Sequence, residues 1–337
     1  MTGATRDHGG GIDAAAARWG GARAQWIDLS TGINPSPYPL PSLPPEAWNA
    51  LPDHGAQTAL EDAARRFWQV PDTASVLAAP GASALIAQLP HALCGDRVAI
   101  RPDTYNEHAA AFRTAGWQVD DTPATPGAPL RVVVHPNNPT GEYCDPAMPG
   151  PLIVDESFCD TAPARSLVAR AGTGVTVLKS FGKFWGLAGL RLGFAIGAPA
   201  LIDRLRERLG PWPVAGPALA IGTAALRDHA WAARTRDTLH REAAILDTML
   251  SDVGLTGTGD CPLFRLIETR DAQAWHGALA ERHVLTRVFP YAPGWLRVGL
   301  PASHHRDHLG DALNAARGAI DGTVGGAMAQ PSAARRP

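Results

Sequence analysis

Two lysines stand out in a chain that otherwise uses arginine for positive charge. Lys179 and Lys183 are the only lysines in 337 residues, and the rest of the 30 basic side chains are arginine. Arginine suffices wherever a fixed charge is needed. It cannot serve where an amine must lose its proton and attack a carbonyl, because the guanidinium stays charged. Both lysines lie in Val175-Thr-Val-Leu-Lys-Ser-Phe-Gly-Lys-Phe-Trp-Gly-Leu-Ala-Gly-Leu-Arg-Leu-Gly193, where Lys183 closes the turn Ser180-Phe-Gly-Lys183. A lysine pair confined to such a turn predicts covalent amine chemistry.

Three other segments have residue types that would complement such an amine. Gly81-Ala82-Ser83 is a small-residue turn opening a helix, which leaves backbone N–H groups and a hydroxyl available to a phosphate. Asp155 ends the apolar run Leu-Ile-Val-Asp, and His135-Pro-Asn-Asn-Pro-Thr-Gly141 follows another apolar run. Arg191, eight residues beyond Lys183, offers a second anion ligand. Each has an ordinary alternative: a helix-capping serine, a turn aspartate, a surface ion pair. What joins them is position, because all fall at or just beyond the carboxyl ends of strands that read as parallel, where open α/β sheets gather ligands.

Those strands are short apolar runs at Ser75–Ala79, Arg97–Ile100, Gln118–Asp121, Leu130–Val134, Leu152–Val154, Val175–Leu178 and Phe194–Gly197; a helix at Gln57–Trp68 is expected before the first, and helical patterns separate most of the early ones. Alternation of this kind predicts a mostly parallel sheet covered on both faces. Before it come a short helix, Ile12–Trp19, a strand near Trp26–Ser30, and Asn34-Pro-Ser-Pro-Tyr-Pro-Leu-Pro-Ser-Leu-Pro-Pro45, too rich in proline for regular structure. After it, helices at Gly216–Ala230 and Ala232–Leu250 lead into a smaller α+β unit. Its strands are expected near Leu263–Glu268, Val284–Arg287 and Trp295–Leu300, and its helices at Asp271–Arg282 and Arg306–Ala319. The expected division is an N-terminal arm at 1–45, a large domain at 46–230, a small domain at 231–322 and a tail at 323–337 of disorder-prone composition.

Taken together, Ser-x-x-Lys followed by Gly-Leu-x-Gly-x-Arg-x-Gly, with Asn-Asn-Pro-Thr-Gly and Val-Asp-Glu upstream, resembles the fold-type-I pyridoxal-phosphate enzymes, aminotransferase class I/II. The resemblance spans roughly residues 25–300. It implies a seven-stranded, mostly parallel sheet between helices, with a smaller α+β domain after it. It also implies that Lys183 bonds covalently to the aldehyde of pyridoxal 5'-phosphate and that Asp155 pairs with the cofactor's pyridine nitrogen. Asn138 would hydrogen-bond the phenolic oxygen, Tyr105 would stack on the ring, and Ala82, Ser83, Ser180 and Arg191 would hold the phosphate. Arg297, in Trp-Leu-Arg-Val-Gly, matches the arginine that binds a substrate carboxylate. One position departs: Phe158 stands where many aminotransferases carry a tyrosine.

The N-terminus narrows the resemblance. His8-Gly-Gly before an alanine-rich helix, then Ile27-Asp-Leu-Ser-Thr-Gly-Ile-Asn-Pro35, is similar to the threonine-phosphate decarboxylase group of cobalamin synthesis, and so is Asp155-Glu-Ser-Phe158. That group converts L-threonine O-3-phosphate to (R)-1-aminopropan-2-ol O-phosphate and CO2, and is related to the histidinol-phosphate aminotransferases, which stay open as the alternative. A phosphorylated amino acid needs arginines to orient it. Arg287 and Arg297 are the candidates, with His8 and Asn34 near the substrate, and a homodimer is expected because enzymes of this type usually build their sites at a dimer interface.

Composition removes other classes. A net charge of −2 gives no reason to expect nucleic acid or an anionic membrane as partner. Cys94, Cys144, Cys159 and Cys261 show no disulfide-like or C-x-x-C spacing, which favours a reducing compartment. The polar start Met1–Gly11 predicts no signal peptide, so a cytoplasmic enzyme is expected. A serine hydrolase built on Ser180-x-x-Lys183 would need a Lys-Thr-Gly element, and the chain has none. His304, His305 and His308 cluster without Glu or Cys and read as the exposed start of the last helix, so no metal site is expected.

Overall fold

The computed structural model of the chain describes residues 8–121 and 130–327. These divide into two compact units. One comprises Ile33–Arg241 and Gly259–Leu263; the other comprises the residues up to Gly32, Glu242–Thr258, and the chain from Phe264 onward. The first boundary falls just before the proline-rich stretch, and Ile27–Asp28, which pairs in parallel with Val284–Leu285, belongs to the second unit.

The first unit is built on a seven-stranded sheet. Its order across the sheet is Ser75–Ala79, Gly193–Gly197, Val175–Ser180, Leu152–Asp155, Arg131–Val134, Arg97–Ile100 and Gln118–Asp120. Gly193–Gly197 runs antiparallel to both its neighbours, and the remaining pairs are parallel. The central strands are buried along nearly their whole length, as expected of a sheet covered on both faces. Leu85 and Leu89 of the helix Ala82–Ala92, Phe112 of Asn106–Thr114, and Ile202 and Leu205 of Pro199–Leu209 pack on it. Each such side chain contributes about 1.5–3 kcal/mol by leaving water.

Local chemistry sets the ends of these elements. The helix expected from Gln57 starts earlier, at His54, because Asp53 caps it by accepting a hydrogen bond from Ala56 N at 3.2 Å. A short helix, Glu46–Asn49, was not expected from sequence.

The second unit carries a four-stranded antiparallel sheet ordered Arg287–Phe289, Ala292–Gly299, Phe264–Glu268, Gly257–Thr258, with helices Ala272–Ala280 and Arg306–Ala327. Trp26 packs with Ala15, Ala280 and Leu285, which fixes the N-terminal segment in this unit. The last helix continues to Ala327, beyond the Ala319 expected from sequence, so it takes in the first residues of the expected tail; residues 328–337 lie outside the described residues.

Candidate active site

The lysine turn is held by its apolar neighbours rather than by the lysines. Phe181, Phe184 and Trp185 are fully buried; Phe181 stacks on Trp185 at 4.9 Å, and Trp185 stacks on Trp231 at 5.3 Å. With its flanking Phe184 and Trp185 side chains buried in the aromatic core, Lys183 is left half-buried, as is Ser180 at the start of the turn. Its Nζ lies over the Phe158 ring, 5.2 Å from the centroid.

Lys183 faces a cavity of ≈ 220 Å³ at the carboxyl ends of the strands. All eight residues assigned to the cofactor from sequence line it: Ala82, Ser83, Tyr105, Asn138, Asp155, Ser180, Lys183 and Arg191. At one end the helix Ala82–Ala92 begins at Gly81, which has no side chain to cap the first N–H groups. Gly81 has φ +86°, and a Cβ there would sit 2.7 Å from Arg191 Nη2, so the guanidinium lies directly against the helix start. Arg191 itself holds φ +53°, a left-handed conformation that a non-glycine residue adopts at some cost. An open helix N-terminus, a serine hydroxyl and an arginine converging on one point fit a phosphate group. Gly81→Ala would meet both the left-handed backbone and the guanidinium, at a cost of about 1–3 kcal/mol. The expected result is a lower melting temperature and weaker binding of pyridoxal phosphate, read by titration.

The other end holds Asp155, 2 % exposed. Its Oδ2 lies 2.8 Å from His108 Nε2, and its Oδ1 accepts from Ser157 N at 2.9 Å and Ser157 Oγ at 2.5 Å. Burial works to push this carboxyl up, but the hydrogen bond and charge of His108, with the Ser157 bonds, hold it below the usual carboxylate range. A carboxylate kept ionised in a buried site fits a cationic ring nitrogen. The cavity residues therefore suit the two polar ends of pyridoxal phosphate, with the lysine amine between them in the lining.

His108 did not emerge from the sequence. It sits one helical turn beyond Tyr105, with which it makes an edge contact at 6.0 Å, and only the fold reveals that it reaches Asp155. Lys179 is also separated from its neighbour by the strand pleat: it lies 2.7 Å from Glu156 and 3.2 Å from Asp160, almost fully buried. Burial works against its charge, but the two carboxylates outweigh that and hold its pKa above the ordinary lysine value. Lys183 is thus the lysine suited to nucleophilic chemistry.

The substrate-binding expectations separate into two groups. Asn34 does not line the cavity. Its Nδ2 donates to Phe184 O at 2.8 Å, its Oδ1 accepts from Ser36 N at 2.9 Å, and its backbone N–H donates to Lys183 O at 3.1 Å, so it clamps the lysine turn. In the second unit, Arg287 and Arg297 face each other directly across an antiparallel strand pair. Arg297 is 3 % exposed, lies over Phe264 at 5.3 Å, and donates from Nη2 to Ser30 O. The same Ser30 accepts a hydrogen bond from Gly10 N on its Oγ at 2.8 Å, and Gly9 packs against its carbonyl. His8, itself exposed, is thereby carried by a segment anchored to the residue that Arg297 also contacts.

Fold and cavity together define an α/β enzyme built to hold a phosphorylated cofactor beside a reactive lysine. The profile of aminotransferase class I and II matches residues 26–315, and the chain belongs to that family. It is 42% identical to a threonine-phosphate decarboxylase from Sinorhizobium sp. over 325 residues, covering 91% of this chain and 97% of that protein. It is 41% identical to the threonine-phosphate decarboxylase of Pseudomonas aeruginosa, covering 88% of this chain and 93% of that one. Among solved structures, the histidinol-phosphate aminotransferase of Sinorhizobium meliloti, crystallised with pyridoxal-5'-phosphate, superposes with a TM-score of 0.75 at 18% identity over 92% of this chain and 95% of that one. That last likeness is one of fold.

Proposed function

We propose that this chain is a pyridoxal-phosphate-dependent lyase that decarboxylates L-threonine O-3-phosphate to (R)-1-aminopropan-2-ol O-phosphate and CO2. The observation that carries this reading is the 41–42% identity to two threonine-phosphate decarboxylases along nearly the whole chain. The cofactor is pyridoxal 5'-phosphate. When bound, it supplies an electron sink for whichever bond to the substrate Cα stands perpendicular to its ring.

The chain's own residues do the rest. Lys183 would bond the cofactor's aldehyde, and its amine would be placed to carry a proton to the substrate Cα. Asp155, ionised and fixed by His108 and Ser157, holds the proton on the ring nitrogen. Ala82, Ser83, Ser180 and Arg191 bind the cofactor phosphate, Tyr105 covers the ring and Asn138 donates to its phenolic oxygen. Phe158 brings an apolar face where a tyrosine would bring a hydroxyl, so the neighbourhood of the Lys183 amine loses one proton donor.

Arg287 and Arg297 orient the substrate. Two arginines directly opposite on paired strands suit a ligand that carries both a carboxylate and a phosphate. A decarboxylase must turn the carboxylate out of the ring plane, and a bidentate arginine fixes such an angle better than a lysine can. Arg297→Lys is expected to raise KM for L-threonine O-3-phosphate by about 10–100-fold, the worth of a charged hydrogen bond. Unchanged steady-state kinetics would remove Arg297 from the substrate site.

We further propose a cytoplasmic homodimer whose product supplies the aminopropanol linker of cobalamin. Leu40, Trp48, Leu51 and Trp212 are 57–71% exposed in the first unit, a set of large apolar side chains that suits burial against a second copy. No helix among the described residues is long and apolar enough to cross a membrane. Light scattering of the purified chain tests the dimer, and a monomer at micromolar concentration would contradict it. The activity is tested by CO2 release from L-threonine O-3-phosphate, with histidinol phosphate and 2-oxoglutarate in parallel.

A further inference from the structure

Lys179 takes no part in the cavity, and its surroundings suggest why it was kept in a chain that otherwise uses arginine. Side chains alternate across a strand, so on Val175–Ser180 the Ser180 side chain lines the cavity while Lys179 faces the other way. There Lys179 Nζ bridges Glu156 Oε2 at 2.7 Å and Asp160 Oδ1 at 3.2 Å. Both acids have further partners. Glu156 accepts from Ser166 Oγ and Leu167 N, each at 2.6 Å. Asp160 accepts from Trp68 Nε1 at 2.8 Å and Trp185 Nε1 at 3.1 Å, while its backbone carbonyl accepts from Arg236 Nε at 2.8 Å.

Four members of this buried cluster are close in sequence to a cavity residue. Glu156 follows Asp155, Asp160 lies two residues after Phe158, Trp185 two after Lys183, and Lys179 immediately before Ser180. We propose that Lys179 is a positioning residue, whose ammonium joins the turn bearing Asp155 and Phe158 to the turn bearing Lys183 through Glu156, Asp160 and Trp185. The inference rests on the reading of the cavity as the pyridoxal-phosphate site. Its physical content is that one buried cation sets the separation of two turns that meet the cofactor at different atoms. A compact ammonium with three donors suits a space between two carboxylates that also hold indole and backbone N–H groups.

The test compares the full wild-type chain, Lys179→Arg, and the charge-neutralised variant Glu156→Gln/Asp160→Asn/Lys179→Met, all prepared without cofactor. Removing the lysine alone would leave two buried acids uncompensated and risk unfolding, which the neutralised variant avoids. Each protein is melted and then titrated with pyridoxal phosphate through quenching of tryptophan fluorescence. The pH midpoint of the bound cofactor's visible band and the kcat are then measured. The neutralised variant is expected to melt cooperatively, to bind about tenfold more weakly, to show a displaced midpoint and to lose about a hundredfold in kcat with KM little changed. Lys179→Arg, which keeps the charge in a bulkier head, is expected to fall between wild type and the neutralised variant in each readout. A neutralised variant with wild-type affinity, midpoint and kcat overturns the proposal, and so does one that cannot fold, because the cluster would then serve stability alone. Failure of the wild-type chain to bind pyridoxal phosphate is a different result, removing the cofactor reading on which the proposal stands.

Discussion

Lys183→Ala leaves the protein folded, abolishes its borohydride-reducible bond with pyridoxal phosphate, and lowers turnover by at least about 10³-fold. Folding survives because the turn is held by the stacked Phe181, Trp185 and Trp231 and by Asn34, none of which depends on the lysine side chain. Chemistry fails because no other amine can take over. Lys179 is buried, paired with two carboxylates and held protonated, so it is neither nucleophilic nor exposed to the cavity. Peptide mapping of the reduced protein decides the matter: the wild type carries the adduct on Lys183 and the variant carries none. An adduct on Lys179 in the variant would reverse the assignment.

Asp155→Asn is expected to lower kcat by about 10²–10³-fold, the scale seen when one preorganised electrostatic partner of a developing charge is removed. Asn keeps the shape and can still bond Ser157, but it cannot hold a proton on the ring nitrogen. His108 sharpens the expectation. With Asp155 ionised, the 2.8 Å contact requires the His108 Nε2–H to donate, and Nδ1 has no hydrogen-bond partner among the described residues. The same contact predicts a pH effect whose sign follows from the lowered carboxyl pKa. A depressed carboxyl contributes stability above its unfolded value of about 3.9 and loses that contribution as pH falls through the folded value. Asp155→Asn should therefore cost stability at neutral pH and show a shallower loss in acid, below about pH 4. Parallel acid-unfolding curves for wild type and variant would reject the coupling.

Much of the site was legible in the sequence because its chemistry is local. Lys183 showed itself by composition, Asp155 by ending an apolar strand, and Gly81-Ala-Ser by opening a helix, and the parallel sheet brings these strand ends together. What the sequence could not show depends on partners far along the chain. His108 is an unremarkable helix residue until 47 positions of sequence are closed to bring it to Asp155. Lys179 had no readable role because Glu156 and Asp160 meet it from another strand and turn. Asn34 is expected near the substrate from its motif, and the fold adds what the sequence could not show, that its carboxamide bonds to the lysine turn. The ends of elements were the least legible. The early start at His54 came from the Asp53 cap, and the disorder-prone composition after 322 argued against a last helix that nonetheless runs to Ala327.

The account's central claim concerns which bond to Cα breaks. Purified protein supplied with pyridoxal phosphate and L-threonine O-3-phosphate should release one CO2 for each aminopropanol phosphate formed, with no requirement for a keto acid. Keto product and glutamate from histidinol phosphate and 2-oxoglutarate, without CO2 from L-threonine O-3-phosphate, would contradict it.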